Sequence, residues 1–168
     1  MMKNICFTFL TLVIISTGSL AQNTTSDNEK KVYDPADNAE VAIAKAVSQA
    51  AREGKHVLLQ IGGNWCRWCL AFDKKTSTEE TLKKEIDQNY IVYHVNHSKE
   101  NWNWEVLSSL DYPQRFGFPV FVILDGKGNR LHTQNSEYLE EGKGHSSAKI
   151  LQFLKHWSPT AVDSKQYK

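Results

Sequence analysis

The sequence predicts an α/β sandwich, a central mixed sheet of four or five strands flanked by helices. Two observations carry this. Apolar runs of strand length recur at residues 56–61, 90–95 and 119–124, and such runs bounded by turn residues read as buried strands. Helical periodicity surrounds them, with Ala39, Ile43, Ala46 and Ala50 before the first run and Ile150, Leu151, Leu154 and Trp157 after the last. Helices and strands that alternate along one chain bury their apolar faces by packing helices on a sheet.

Taken in order, Asp34 is expected to cap the first helix, with Pro35 at its first position, and Gly54 to stop it. Residues 56–61 form the first strand, and Gly62-Gly63-Asn64 turns the chain into Trp65-Cys66-Arg67-Trp68-Cys69. Leu70, Ala71 and Phe72 continue as a helix. Thr78, followed by Glu79 and Glu80, is expected to cap a second helical piece carrying Leu82 and Ile86. Residues 90–95 form the second strand. Residues 99–110 hold Trp102 and Trp104, of which one is expected to be buried and the other half-exposed. Residues 119–124 form the third strand, and the Gly-rich turn 125–129 leads into a fourth at 130–133. A closing helix ends at Pro159.

The first residues fall outside this plan. Lys3, the apolar run 5–15 and the small residues 16–21 match a secretory signal peptide, and the run is shorter than the roughly 18 apolar residues of a membrane span. Cleavage is expected after Ala21. That leaves a polar, flexible leader at 22–31, one domain at 32–158 and a tail at 159–168. The location expected is outside the cytoplasm, the periplasm if the source is a Gram-negative bacterium. Twenty Lys and Arg against nineteen Asp and Glu leave no basic field for nucleic acid and no polybasic patch for a membrane surface.

Of the three cysteines, Cys6 leaves with the signal, so Cys66 and Cys69 remain. A disulfide between them closes a very small loop and constrains the unfolded chain little, so reactivity explains the pair better than stability. A cysteine placed after a strand and turn, at the start of a helix, sits among free backbone N–H groups at the positive end of the dipole. If the dipole and Arg67 together contribute about 2 kcal/mol, the thiol pKa falls from about 8.5 to about 7. Cys66 is then the nucleophile. Cys69, one turn on and on the same helix face, attacks the mixed disulfide at Cys66 and releases the partner.

Through Trp65-Cys66-x-x-Cys69 after a strand and Gly117-Phe118-Pro119 before the third, the chain resembles the thioredoxin superfamily over residues 32–157. The stretch 64–96 looks most like small exported bacterial members and the C-terminal domain of the transmembrane thiol:disulfide interchange protein. The resemblance implies a thioredoxin-like sandwich, a redox-active disulfide between Cys66 and Cys69, and a cis Pro119 beside it. It also implies that Phe118 offers its backbone to a substrate strand. Trp65, Arg67 and Trp68 flank the sulfur and are expected to form a further contact surface for partners, the alternative for each Trp being a place in the core. Two departures stand out. Arg67-Trp68 replaces Gly-Pro between the cysteines, and Gln60 replaces a buried Asp, so the proton of Cys69 needs another acceptor. Asp73, one turn beyond Cys69, is the candidate, and the interchange-protein domain has a matching acid.

The function expected is therefore an exported thiol:disulfide oxidoreductase acting on disulfide-bearing or dithiol proteins, more as reductant than oxidant. A membrane electron donor is the expected recharging partner, and no cofactor or metal is required. The alternatives are an oxidant or isomerase of the same fold, a non-catalytic binding module, and a metal carrier. A zinc site would need two histidines at ligand spacing, and none are found. Copper carriers of this fold use a Cys-x-x-x-Cys spacing.

Overall fold

The computed structural model describes residues 31–168; the expected signal peptide and nearly all of the expected leader lie outside them. Strand β1 (His56–Gly62) runs parallel to β2 (Tyr90–Asn96) and antiparallel to β3 (Val120–Leu124), which pairs antiparallel with β4 (Arg130–Asn135). The order β2-β1-β3-β4 makes a mixed four-stranded sheet, as expected. β1 and β3 at its centre are buried at every position, which accounts for the unbroken apolar run of β3 and for the run of β1, interrupted only by the buried Gln60.

Alternate residues of the central strands feed two cores. Val57, Leu59, Ile61, Val120 and Val122 pack on helix α1 (Ala39–Glu53) through Ala39, Ala46 and Ala50, with Leu107 of α4 (Trp104–Ser109). Leu58, Phe121 and Ile123 face Phe72 of α2 (Arg67–Thr78), Leu82 and Ile86 of α3 (Glu80–Asn89), and Ile150, Phe153 and Leu154 of α5 (Ser147–His156). A two-stranded hairpin, β5 (Glu140–Glu141) with β6 (Gly144–His145), precedes α5 and has no counterpart in the sequence reading.

Three expectations about helix ends are corrected. α1 is capped by Asn38, whose Oδ1 accepts from Val41 N, and not by Asp34. Asp34 instead folds a turn by accepting from Ala36 N, while Tyr93 of β2 donates to Asp37. These contacts hold residues 34–37 out of the helix. Thr78 does not cap α3: it lies in α2, its hydroxyl donating to Lys74 O, and Glu79 alone separates the two helices. Trp157 follows α5 as its C-cap, with its ring stacked on His132. Gly54 does end α1, at φ +65°, a left-handed conformation that glycine adopts without steric cost.

Candidate active site

Strand β1 ends at Gly62, the chain turns through Gly63 and Asn64, and Cys66 becomes the N-cap of α2. The N–H of Cys69 donates to Cys66 Sγ at 3.1 Å, one of the orphan donors that a helix N-terminus supplies. The two cysteines are disulfide-bonded, Cα to Cα 5.2 Å. Cys66 retains 6% exposure and Cys69 none, so an incoming sulfur reaches Cys66 first. Arg67 is exposed beside it, and Trp68 is half-buried with its edge on His145. Burial first, and Lys75 second, push His145 below the usual histidine range.

The Phe118-Pro119 bond is cis, and Phe118 packs partly buried against the Cys66, Cys69 and Tyr33 cluster. On its other side Phe118 stacks on His97 and meets the edge of Trp65. His97, just after β2, ties this wall together. Its N–H donates to Gly62 O at 2.6 Å, its carbonyl accepts from Trp65 Nε1 at 2.8 Å, and its Nδ1 lies 2.7 Å from Trp102 O. The carbonyl there requires the hydrogen on Nδ1. Trp65 is thereby held 59% exposed. Trp102 and Trp104 stack on each other and are 40% and 56% exposed, so neither is the buried member expected from the sequence. Trp65, His97, Trp102 and Phe118, with Ser98, Lys99 and Glu100, line a mainly apolar groove of about 480 Å³.

Beneath the disulfide lies a polar group whose members are far apart in sequence. Gln60 Nε2 donates to Cys69 O at 3.0 Å and to the Tyr33 hydroxyl at 2.7 Å. Asn64 pairs with the Tyr33 backbone in both directions, at 3.1 and 2.7 Å. Asp73, part-exposed on α2, places Oδ1 3.0 Å from Nε2 of His94 on β2, close but out of line for a hydrogen bond. The His94 ring meets the edge of Tyr33. No direct hydrogen bond joins Asp73 to Cys69.

Gly62 is where this packing is tightest. A Cβ there would overlap Cys69 Sγ and come within 3.1 Å of the Tyr33 hydroxyl and 3.2 Å of Cys69 Cβ. All these neighbours are fully buried, so neither a side chain nor the helix can give way cheaply. Gly62→Ala is expected to cost about 1–3 kcal/mol, the usual range for overpacking, and to weaken the disulfide. Thermal unfolding and thiol titration of the oxidised variant measure both, and an unchanged disulfide and midpoint would refute the expectation.

A mixed sheet with a Cys-x-x-Cys disulfide at the start of the helix after β1, packed against Phe118 of a cis Phe118-Pro119 bond, defines a thiol:disulfide oxidoreductase of thioredoxin fold. A family model described as thioredoxin-like matches residues 38–126, and the chain belongs to that family. Among solved structures it is similar to a disulphide isomerase from Xylella fastidiosa Temecula1, with 25% identity and a TM-score of 0.65 over 73% of this chain and 93% of that one. It is also similar to a thioredoxin from Thermus thermophilus, with 16% identity and a TM-score of 0.52 over 73% and 88%. The Neisseria meningitidis DsbD C-terminal domain in its oxidised form aligns at 14% identity and a TM-score of 0.48, over 70% and 94%. No curated protein matches the chain.

Proposed function

We propose that the chain is an exported reductant of protein disulfides, with Cys66 as the attacking and Cys69 as the resolving thiol. The observation that carries this reading is the asymmetry of the pair. At the helix N-terminus Cys66 keeps a small exposure, and Cys69 beneath it has none. Cys66 thiolate attacks a partner disulfide, forming the mixed disulfide and releasing one partner sulfur as thiolate. Cys69, deprotonated, attacks Cys66 Sγ, forming the disulfide seen here and expelling the second partner sulfur. Trp65, Phe118 and Pro119 form the wall against which the partner segment lies, with Arg67 and Trp68 beside the entry.

Export rests on the signal pattern at residues 1–21, with residues 22–31 as leader, 32–158 as the domain and 159–168 as tail. Among the described residues no helix is long and apolar enough to cross a membrane. The periplasm is the compartment proposed for a Gram-negative source. The reducing direction is supported by the resemblance of residues 64–96 to the interchange-protein domain. In an oxidising compartment a reductant must be recharged, and a membrane electron donor fills that role.

The test is turnover of a disulfide-bonded protein with dithiothreitol as electron source, together with a redox titration against glutathione. Faster reduction than dithiothreitol alone and a potential below that of the glutathione couple are expected. Background turnover would sink the enzyme role, and a potential above the couple would reverse the direction. A second reading, disulfide isomerase, is favoured by the likeness to the Xylella protein and would appear as reactivation of a scrambled test protein.

Asp73 is proposed as the acceptor for the Cys69 proton, reached through a water because no direct bond joins the two groups. Asp73→Asn keeps the shape and removes the base. Release of the partner is expected to slow by about ten- to a hundredfold near neutral pH, below the upper range for a full general base because water substitutes. Formation of the mixed disulfide is expected to stay at the parent rate. Single-turnover kinetics separate the two steps, and equal release rates in variant and parent would refute the assignment.

A further inference from the structure

We propose that the Tyr33 hydroxyl is the hydrogen-bond donor that stabilises the Cys69 thiolate, and that Gln60 aims it. This rests on the oxidoreductase reading above, in which Cys69 resolves the mixed disulfide. Tyr33 is fully buried and belongs to the same packed cluster as Cys66 and Cys69. Its hydroxyl and Cys69 Sγ border the same space, the one a side chain at Gly62 would fill: a Cβ there would overlap the sulfur and lie 3.1 Å from the hydroxyl oxygen.

The orientation of that hydroxyl follows from the Gln60 amide. The Gln60 atom 3.0 Å from the Cys69 carbonyl oxygen must be its NH₂ group, because a carbonyl only accepts. The same NH₂ lies 2.7 Å from the Tyr33 oxygen, so that oxygen is the acceptor and its hydrogen is free. None of the described oxygen or nitrogen atoms takes that hydrogen. In the oxidised form Cys69 Sγ is bonded to Cys66 and carries no charge. Once that bond opens, the sulfur becomes a charged acceptor bordering the same space as the hydroxyl. Burial, and after it the charge of Asp73, hold the phenol above its usual pKa range, so Tyr33 keeps its proton and acts as a donor, not as a base.

A fully buried thiolate without a donor is costly. Cys69 is a thiolate at two moments: when it attacks Cys66 Sγ to expel a partner, and when an incoming thiolate displaces it from the disulfide. Tyr33 O–H serves both by donating its free hydrogen while its oxygen goes on accepting from Gln60. The titratable side chains packed nearest to it are Asp73 of α2 and His94 of β2. Gln60 is then a positioning residue. It stands where the thioredoxin pattern has an acid, and it orients a donor in place of supplying a base.

The test uses the full chain with Cys6→Ser, so that Cys66 and Cys69 are the only thiols, reduced and then mixed with 5,5′-dithiobis(2-nitrobenzoate). The first thionitrobenzoate released reports attack by Cys66, and the second reports resolution by Cys69. Tyr33→Phe should leave the first release unchanged, slow the second about tenfold, the order expected for losing one hydrogen bond to a charged group, and move its pH profile upward. Equal second releases and equal profiles in Tyr33→Phe and the parent would overturn the proposal. Failure of the first release in the parent would instead strike the oxidoreductase reading. A further measurement needs no change at Tyr33: in Cys6→Ser/Cys66→Ser, the Cβ carbon resonance of Cys69 should titrate at or below about pH 9, near the ordinary thiol value of about 8.5, despite complete burial. Titration above that would overturn the proposal.

Discussion

Cys66→Ser should reduce protein disulfides no faster than dithiothreitol alone. A serine hydroxyl fits the same N-cap and accepts the Cys69 N–H in place of the sulfur, so the helix start survives the change. Exchange does not, because it requires a thiolate, and an alcohol is not ionised by the dipole of α2 near neutral pH. The remaining Cys69 cannot take over, since it is fully buried. Stability should change little. The disulfide spans a sequence separation of 3, and closing so short a loop constrains the unfolded chain weakly. Loss of turnover with an unfolding midpoint within a few degrees of the reduced parent is the expected pair of results. Residual turnover above background would show that Cys66 is not the attacking thiol.

Cys69→Ser should have the opposite appearance on a gel. Attack by Cys66 proceeds, the group that expels the partner is missing, and the partner accumulates as a mixed disulfide that reductant removes. Digestion and mass spectrometry of the adduct should place every cross-link on Cys66. The exposures decide this, 6% for Cys66 against none for Cys69, because a protein partner cannot approach a sulfur that lies under Cys66 and against Tyr33. Adducts on Cys69 in the companion variant Cys66→Ser would reverse the two roles. The trapped partners also identify the substrates, and their compartment tests the proposed export.

Two groups at the site gave no usable signal in the sequence. Tyr33 stands alone between a polar leader and an expected helix start, and nothing in its spacing connects it with a strand end 27 residues on, where Gln60 donates to it. His97 reads as a polar residue after a strand. Its role comes from three contacts, to Gly62, Trp65 and Trp102, of which the first two cross from β2 to the turn after β1. The misplaced start of α1 has the same origin. Asp34 and Pro35 carry a valid local helix signal, but Asp37 is drawn to Tyr93 on β2 and Asn38 takes the cap.

What the residues determined by themselves is what short-range chemistry determines. The apolar runs of β1, β2 and β3, the left-handed stop at Gly54, and a cysteine pair one helical turn apart at the start of α2 all arise within a few residues. Each was legible because its cause lies inside its own window. Only the tertiary structure decided which sulfur is covered, which aromatic rings stand open beside it, and which polar groups lie beneath it. Those outcomes depend on parallel pairing of β1 with β2 and antiparallel pairing with β3, which bring residues 33, 60, 69, 97 and 118 together. Contacts of that separation leave no periodic trace in a sequence, because each is one side chain meeting another across the sheet's end.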